Sequence, residues 1–325
     1  MTMLIEEFKQ DDFMSADSVI PNVAIVAEGG GQRGIYTAGV LDTFLDRKFN
    51  PFQVGLGVSA GAQNLLTYFM GERGYAKRAI SELTAAPGFF VPYRWLGARG
   101  VIDLDRYFDQ TILDPEYRLP YQQISQVQEI RQLIFVATNR QTLAPAYLEP
   151  DKHTVVEYLK ASSAVPFLYR APVTVRQQQL VDGGVADPLP VLKAIEMGAR
   201  QIVVIRTVGM ETEQSSWRQR IDALPMRRAL PKIVMQMLET HEDAYTQAIN
   251  AIKSPPAGAN IVSIAPKLPL HSLAFGSSSE AMVRDYELGC SDGFDAIKRV
   301  KQLLSMQTDQ KHNTKKLRTL ADSIS

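Results

Sequence analysis

Two short stretches of this 325-residue chain carry residue types and spacings suited to nucleophilic chemistry. The first is GVSAG, Gly57 to Gly61, which closes the apolar run FQVGLGVSA. A strand that turns sharply into a helix at a G-x-S-x-G pentapeptide lifts the serine hydroxyl, here Ser59 Oγ, off the sheet, and Gly57 and Gly61 permit the tight turn. The helix begun by Ala60 and Gly61 aims its first amides toward developing negative charge. The second stretch is GGGQRG, Gly29 to Gly34, directly after the apolar run Val23 to Ala27. Acyl transfer from an ester passes through a tetrahedral oxyanion. The consecutive N–H groups of Gly29, Gly30 and Gly31 would converge on that oxygen in conformations that side chains obstruct.

Gly29, Gly31 and Gly34 also fit G-x-G-x-x-G, the fingerprint of a dinucleotide-binding turn. That reading requires an acidic residue at the tip of the second strand, about 20 residues on. The second strand ends in GVSAG instead, with no acid at its tip. A phosphate-binding P-loop fares no better, since GGGQRGIY has neither its Lys nor its Ser/Thr.

A serine hydroxyl is a weak nucleophile and needs a base beside it. His153, His241, His271 and His312 are the chain's histidines, and the order Ser59, Asp182, then His241 or His271 would formally match a hydrolase triad. His241, however, sits in a candidate amphipathic helix beside Glu242 and Asp243, and His271 in a proline-bounded loop. Both read as surface or structural residues. Asp182, in LVDGG, ends a short apolar strand ahead of Gly183 and Gly184. Adjacent parallel strands end on one edge of a sheet, so Asp182 would lie within reach of Ser59 and take its proton directly. A plain Asp-Gly turn is the alternative for that dipeptide alone.

The elements that must position these groups alternate in type. Val23 to Ala27, FQVGLGVSA, LIFVATN, QQLVDGG and RQIVVIRT read as strands, with helical patterns after the glycine loop, after Ser59 and in PVLKAIEMG. Such alternation points to an open, mainly parallel sheet with helices on both faces. The expected organisation is an α/β domain over 20–210. Its 72–130 insertion reads as satellite helices or as a cap lining an apolar channel. A helix-rich extension is expected over 211–305 and a disordered tail over 306–325.

Lys plus Arg and Asp plus Glu each number 35, so no net field favours nucleic acid. The single cysteine, Cys290, excludes an internal disulfide and zinc-finger spacings, as in a reducing compartment. The N-terminal stretch has no basic segment followed by an apolar one, which argues against a secretory signal and for a cytoplasmic protein. Phe49 to Gly71 carries no charge, but its interrupting Pro, Gly, Gln and Asn residues suit a buried strand, turn and helix better than a membrane span.

Four blocks in order, GGGQRG, GVSAG, ASSAVP (Ala161 to Pro166) and DGG, make the chain resemble bacterial members of the patatin-like phospholipase family over roughly Val23 to Thr207. The resemblance implies a three-layer α/β/α fold and a Ser-Asp dyad without histidine. Ser59 would be the nucleophile and Asp182 the proton acceptor. It implies hydrolysis of lipid acyl esters with no cofactor and no metal. Arg33 would orient the glycine loop or meet an anionic head group. One departure stands out: Pro188 occupies the place where many members carry an Asn two residues before a proline. A catalytically weak lipid-binding or regulatory protein on the same fold is the alternative. The aromatic insertion and basic tail allow peripheral membrane contact, at the inner face of the membrane for a cytoplasmic protein. Oligomeric state is not readable from the chain.

Overall fold

Strands β1 (Ile20–Ala27) and β2 (Phe52–Val58) are apolar along most of their length, as strands covered on both faces must be. In the computed structural model the described residues are 18–96, 100–169, 171–209 and 231–322, with side chains described except at 95, 96 and 306–322. The remaining strands are β3 (Gln132–Asn139), β4 (Pro145–Leu148), β5 (Val173–Val175), β6 (Gln178–Asp182), β7 (Gln201–Ile205) and β8 (Asn260–Ile264). They form a single sheet in the order β5-β6-β3-β2-β1-β7-β8, with β4 also on β3. The pairs from β3 through β2, β1 and β7 to β8 are parallel. The β3–β4, β3–β6 and β5–β6 pairs are antiparallel.

Helices α1 (Gly34–Asp46), α2 (Ala60–Phe69), α3 (Leu104–Leu113), α4 (Ile124–Ile130), α5 (Val155–Ser163), α6 (Val191–Glu196), α7 (Lys232–Lys253) and α8 (Ser279–Asp322) cover the sheet. Side chains alternate along a strand. Val23, Ile25 and Ala27 therefore pack on one face with Tyr36, Val40 and Phe44 of α1 and Leu65 and Phe69 of α2. Ala24 and Val26 pack on the other face with Val191 and Ala194 of α6 and Ala248, Ile249 and Ala251 of α7. The result is the three-layer α/β/α arrangement.

The helix-rich region beyond Gly209 also supplies β8, which extends the sheet beside β7. Two expectations change. Strand β6 is antiparallel to its neighbour β3, so a shared edge of parallel strands is not what brings Asp182 into place. Helix α8 continues to Asp322 through most of the stretch expected as a tail; KHNTKKLRTLAD holds no Gly or Pro to stop it. Residues 1–17, searched for a secretory signal, the 210/211 boundary and residues 323–325 lie outside the described residues. Phe49 to Gly71 resolves into β2, a turn and α2, and among the described residues no helix is long and apolar enough to cross a membrane.

Candidate active site

Ser59 stands between β2 and α2 with φ 53° and ψ −121°, a backbone conformation that a residue with a side chain rarely adopts. Strain of this kind persists only where the surroundings over-determine it. Here they do. A Cβ at Gly61 would come within 2.3 Å of the Ala27 carbonyl oxygen, and one at Gly57 within 2.5 Å of Ala62 Cα, so neither flank of the turn has room for a side chain. The Ser59 N–H donates to Ser162 Oγ at 2.9 Å, and that hydroxyl donates to the Val136 carbonyl at 2.6 Å.

Register explains how Asp182 arrives. Val58 pairs with Val136 across β2 and β3, and Asp182 pairs with Ala137, the next residue of β3. Ser59 is the residue after Val58, so Ser59 and Asp182 stand level on either side of β3. Strand β6 enters from the far edge and stops at this depth. Asp182 N–H donates to the Ala164 carbonyl at 3.0 Å and Gly183 N–H to the Ser162 carbonyl at 3.3 Å, fixing the turn beneath the end of α5.

The Asp182 carboxyl is buried, and burial raises its pKa to about 6. The Gly184 N–H, donating to Oδ1 at 2.7 Å, and the Ser59 hydroxyl both pull it back down. Among the described residues, Oδ2 meets no donor at full hydrogen-bond geometry. The contact with Ser59 is thus looser than the one with Gly184.

The glycine loop lies over the same point. A Cβ at Gly29 would touch Ser59 Cβ at 3.2 Å, and Gly31 lines the cleft that Ser59 opens into. Among the described residues, no acceptor takes the N–H of Gly29, Gly30 or Gly31. Arg33 donates from its backbone N–H (3.2 Å) and from Nε (3.4 Å) to the Gly30 carbonyl, and so braces the loop. Gly34 starts α1 against α2, its carbonyl taking a hydrogen bond from Asn64 Nδ2 at 3.1 Å. Behind the loop, Glu28 accepts the Thr207 N–H at 2.5 Å while Thr207 Oγ1 donates to the Gly29 carbonyl at 2.7 Å.

The cleft is open at its mouth, and its walls are mainly apolar. Leu66, Phe89, Ile102, Tyr107, Tyr121 and Phe275 are among its lining residues. Most of these come from the 72–130 insertion, whereas Phe275 belongs to the loop between β8 and α8. Phe275 stacks on Phe90 with ring centroids 5.6 Å apart.

Sequence reasoning passed over Ser162, although ASSAVP flagged its neighbourhood, and Thr207, for which no motif exists. It also set His241 aside, yet Nδ1 of that residue meets the Gly184 carbonyl. His271 contacts Asp285 through its backbone N–H, at 3.1 Å.

This geometry can be set beside known proteins. A sequence model described as patatin-like phospholipase matches residues 25–195, and a second, described as a domain of unknown function (DUF6363), matches residues 231–305. The uncharacterized protein YjjU of Escherichia coli (strain K12) is 36% identical over 287 residues, covering 87% of this chain and 79% of YjjU. The crystal structure of VipD from Legionella pneumophila is similar over 85% of this chain at 13% identity and a TM-score of 0.42. This chain covers 66% of the VipD chain. The first sequence model runs from β1 into α6, more than half of the chain, and takes in the glycine loop, Ser59 and Asp182: the chain belongs to the patatin-like phospholipase family.

Proposed function

We propose that the protein is a serine acyl hydrolase that cleaves fatty-acyl esters of lipids through Ser59 and Asp182. As Ser59 Oγ bonds to the acyl carbon, its proton passes to Asp182, and the amides of Gly29 to Gly31 hold the oxyanion. Collapse breaks the bond to the alcohol oxygen, which leaves with the proton from Asp182. Water then gives a proton to Asp182 while its oxygen attacks the acyl-enzyme. The carboxylic acid departs and Ser59 recovers its proton.

The observation that carries this reading is the buried Asp182 carboxyl bearing on a serine held in a strained turn. A base with a pKa of about 6 is well matched to proton transfer near neutral pH. The apolar cleft beside Ser59 suits an acyl chain. The three unspent glycine amides suit a developing oxyanion, where one lost donor typically costs about 3 kcal/mol of transition-state stabilisation.

The test is hydrolysis of medium-chain p-nitrophenyl esters with fluorophosphonate labelling. Wild type is expected to hydrolyse the esters and to be labelled at Ser59, and folded Ser59→Ala to do neither. A folded Ser59→Ala that keeps the wild-type rate would overturn the mechanism. A wild type that binds lipid vesicles but leaves Ser59 unlabelled would make the protein a lipid-binding module.

A further inference from the structure

We propose that His241, far along the chain in α7, is a positioning residue for the Asp182 turn, a role that rests on the Ser59–Asp182 reading above. Its Nδ1 lies 2.5 Å from the carbonyl oxygen of Gly184. A carbonyl oxygen only accepts, so the ring presents Nδ1–H there, whatever the state of Nε2. Gly184 is also the residue whose own N–H donates to Asp182 Oδ1. The two backbone groups of one glycine are therefore tethered from opposite sides, its N–H by the carboxylate and its C=O by the imidazole.

Glycine has the widest choice of backbone angles of any residue, so a single tether would leave this amide free to swing. The turn closes through Val185 N–H on the Asp182 carbonyl (3.3 Å) and the N–H groups of Ala186 and Asp187 on the Gly183 carbonyl (3.2 and 3.0 Å); among the described residues none of these holds the Gly184 carbonyl. His241 is itself braced. Its ring stacks on Tyr245, one helical turn on, with centroids 5.9 Å apart and planes 17° from parallel. Tyr245 Oη accepts from Arg206 Nη2 at 3.0 Å, and Arg206 is buried where β7 ends. The imidazole is thus anchored to the sheet, and it ties the C-terminal region to the turn that holds Asp182.

The neighbours define what a pH experiment would read. Asp182 faces the Ser59 hydroxyl and the Gly184 amide, with burial dominating and no charged side chain contributing to its shift. Asp187, later in the same turn, accepts from Tyr147 Oη at 2.8 Å and is also raised to about 6 by burial. His241 faces the Gly184 carbonyl, the Tyr245 ring and, beyond it, Arg206. The Gly184 amide lowers the Asp182 pKa, so loosening that amide raises it.

The experiment is the pH dependence of fluorophosphonate labelling at Ser59 in the full chain, with melting temperatures alongside. His241→Phe keeps a ring on Tyr245 but loses the donor. It is expected to move the acid limb upward by on the order of half a pH unit. His241→Asn places an amide nitrogen where Nδ1 was and should restore the wild-type profile. His241→Gln, whose amide reaches the Nε2 position instead, should not. Should His241→Phe fail to fold, the Asn–Gln contrast decides alone. Superposable profiles for wild type and His241→Gln, or an Asn variant as shifted as Gln, would overturn the role of His241 and leave the dyad standing. Asp182→Asn labelled at the wild-type rate would instead overturn the dyad, and the role of His241 with it.

Discussion

Ser162 holds Ser59 by its backbone: Oγ of Ser162 accepts the Ser59 N–H and donates in turn to the Val136 carbonyl, which joins the turn after β2 to the middle of β3. The relay is fully buried, so removing it strands a donor with no water to replace the partner. Ser162→Ala is expected to cost on the order of 2 kcal/mol in urea denaturation. It should also reduce ester hydrolysis, because the strained turn at Ser59 loses one of the contacts that over-determine it. Unchanged stability together with unchanged turnover would show that Gly57 and Gly61 suffice to hold the turn.

Gly31 sits at φ +58° with its Cα facing the Ala274 carbonyl, and a methyl there would lie 2.2 Å from that oxygen. The same oxygen accepts the Gln32 N–H at 2.8 Å, so the loop before α8 and the glycine loop cannot separate slightly without losing that bond. Gly31→Ala should therefore displace the loop amides and lower kcat by roughly 100-fold or more, in line with loss of an oxyanion donor. Gly198→Ala is the control. Gly198 has φ +96° and open space where the methyl would go, so it carries backbone strain without touching the site. It should lose some stability and keep its kcat.

Much of this was legible because the motifs lie at strand ends that are apolar and bounded by glycine: β1, β2, β3, β6 and β7 all follow runs visible in the sequence. Three strands were missed for physical reasons. Strand β5 has three residues, β4 begins with a proline, and β8 lies in a stretch dominated by helical periodicity. The direction of β6 was also hidden, since a short strand has the same period whichever way it pairs. That is why Asp182 was brought to Ser59 for the wrong reason, a shared parallel edge, when register across an antiparallel pair puts it there. His241 showed only as a formal triad histidine in a candidate helix, and nothing in the sequence tied it to Gly184. It lies 57 positions from Gly184, and no local spacing rule spans that distance.

Burial of Asp182 makes stability depend on pH in a definite direction. Its pKa is about 6 in the folded chain against the ordinary aspartate value of 3.8, so between those values the folded state holds more protons than the unfolded one. Stability therefore falls as pH rises through this window. Asp182→Asn removes the dependence. It should be more stable than wild type at pH 8 by on the order of 3 kcal/mol, with the advantage fading toward pH 4. Asp187 shifts in the same sense but is common to both proteins and cancels in the comparison. Urea midpoints at the two pH values measure the difference, and an equal penalty for Asp182→Asn at both would contradict the burial argument.

Phe275 lines the cleft from the loop before α8, and its ring is backed by Phe90 of the insertion after α2. A stacked pair contributes about 1 kcal/mol beyond area burial, too little to decide whether the chain folds. Phe275→Ala should thus remain folded while removing apolar surface that an acyl chain would cover. The lost contact is present in both the bound ester and the transition state, so it is uniform binding, which raises KM and leaves kcat nearly unchanged. The rise should be several-fold for p-nitrophenyl octanoate and slight for the acetate, whose acyl group is too short to reach the wall. Equal effects on the two esters, or a fall in kcat at constant KM, would mean that Phe275 supports the glycine loop through Ala274 rather than the acyl chain.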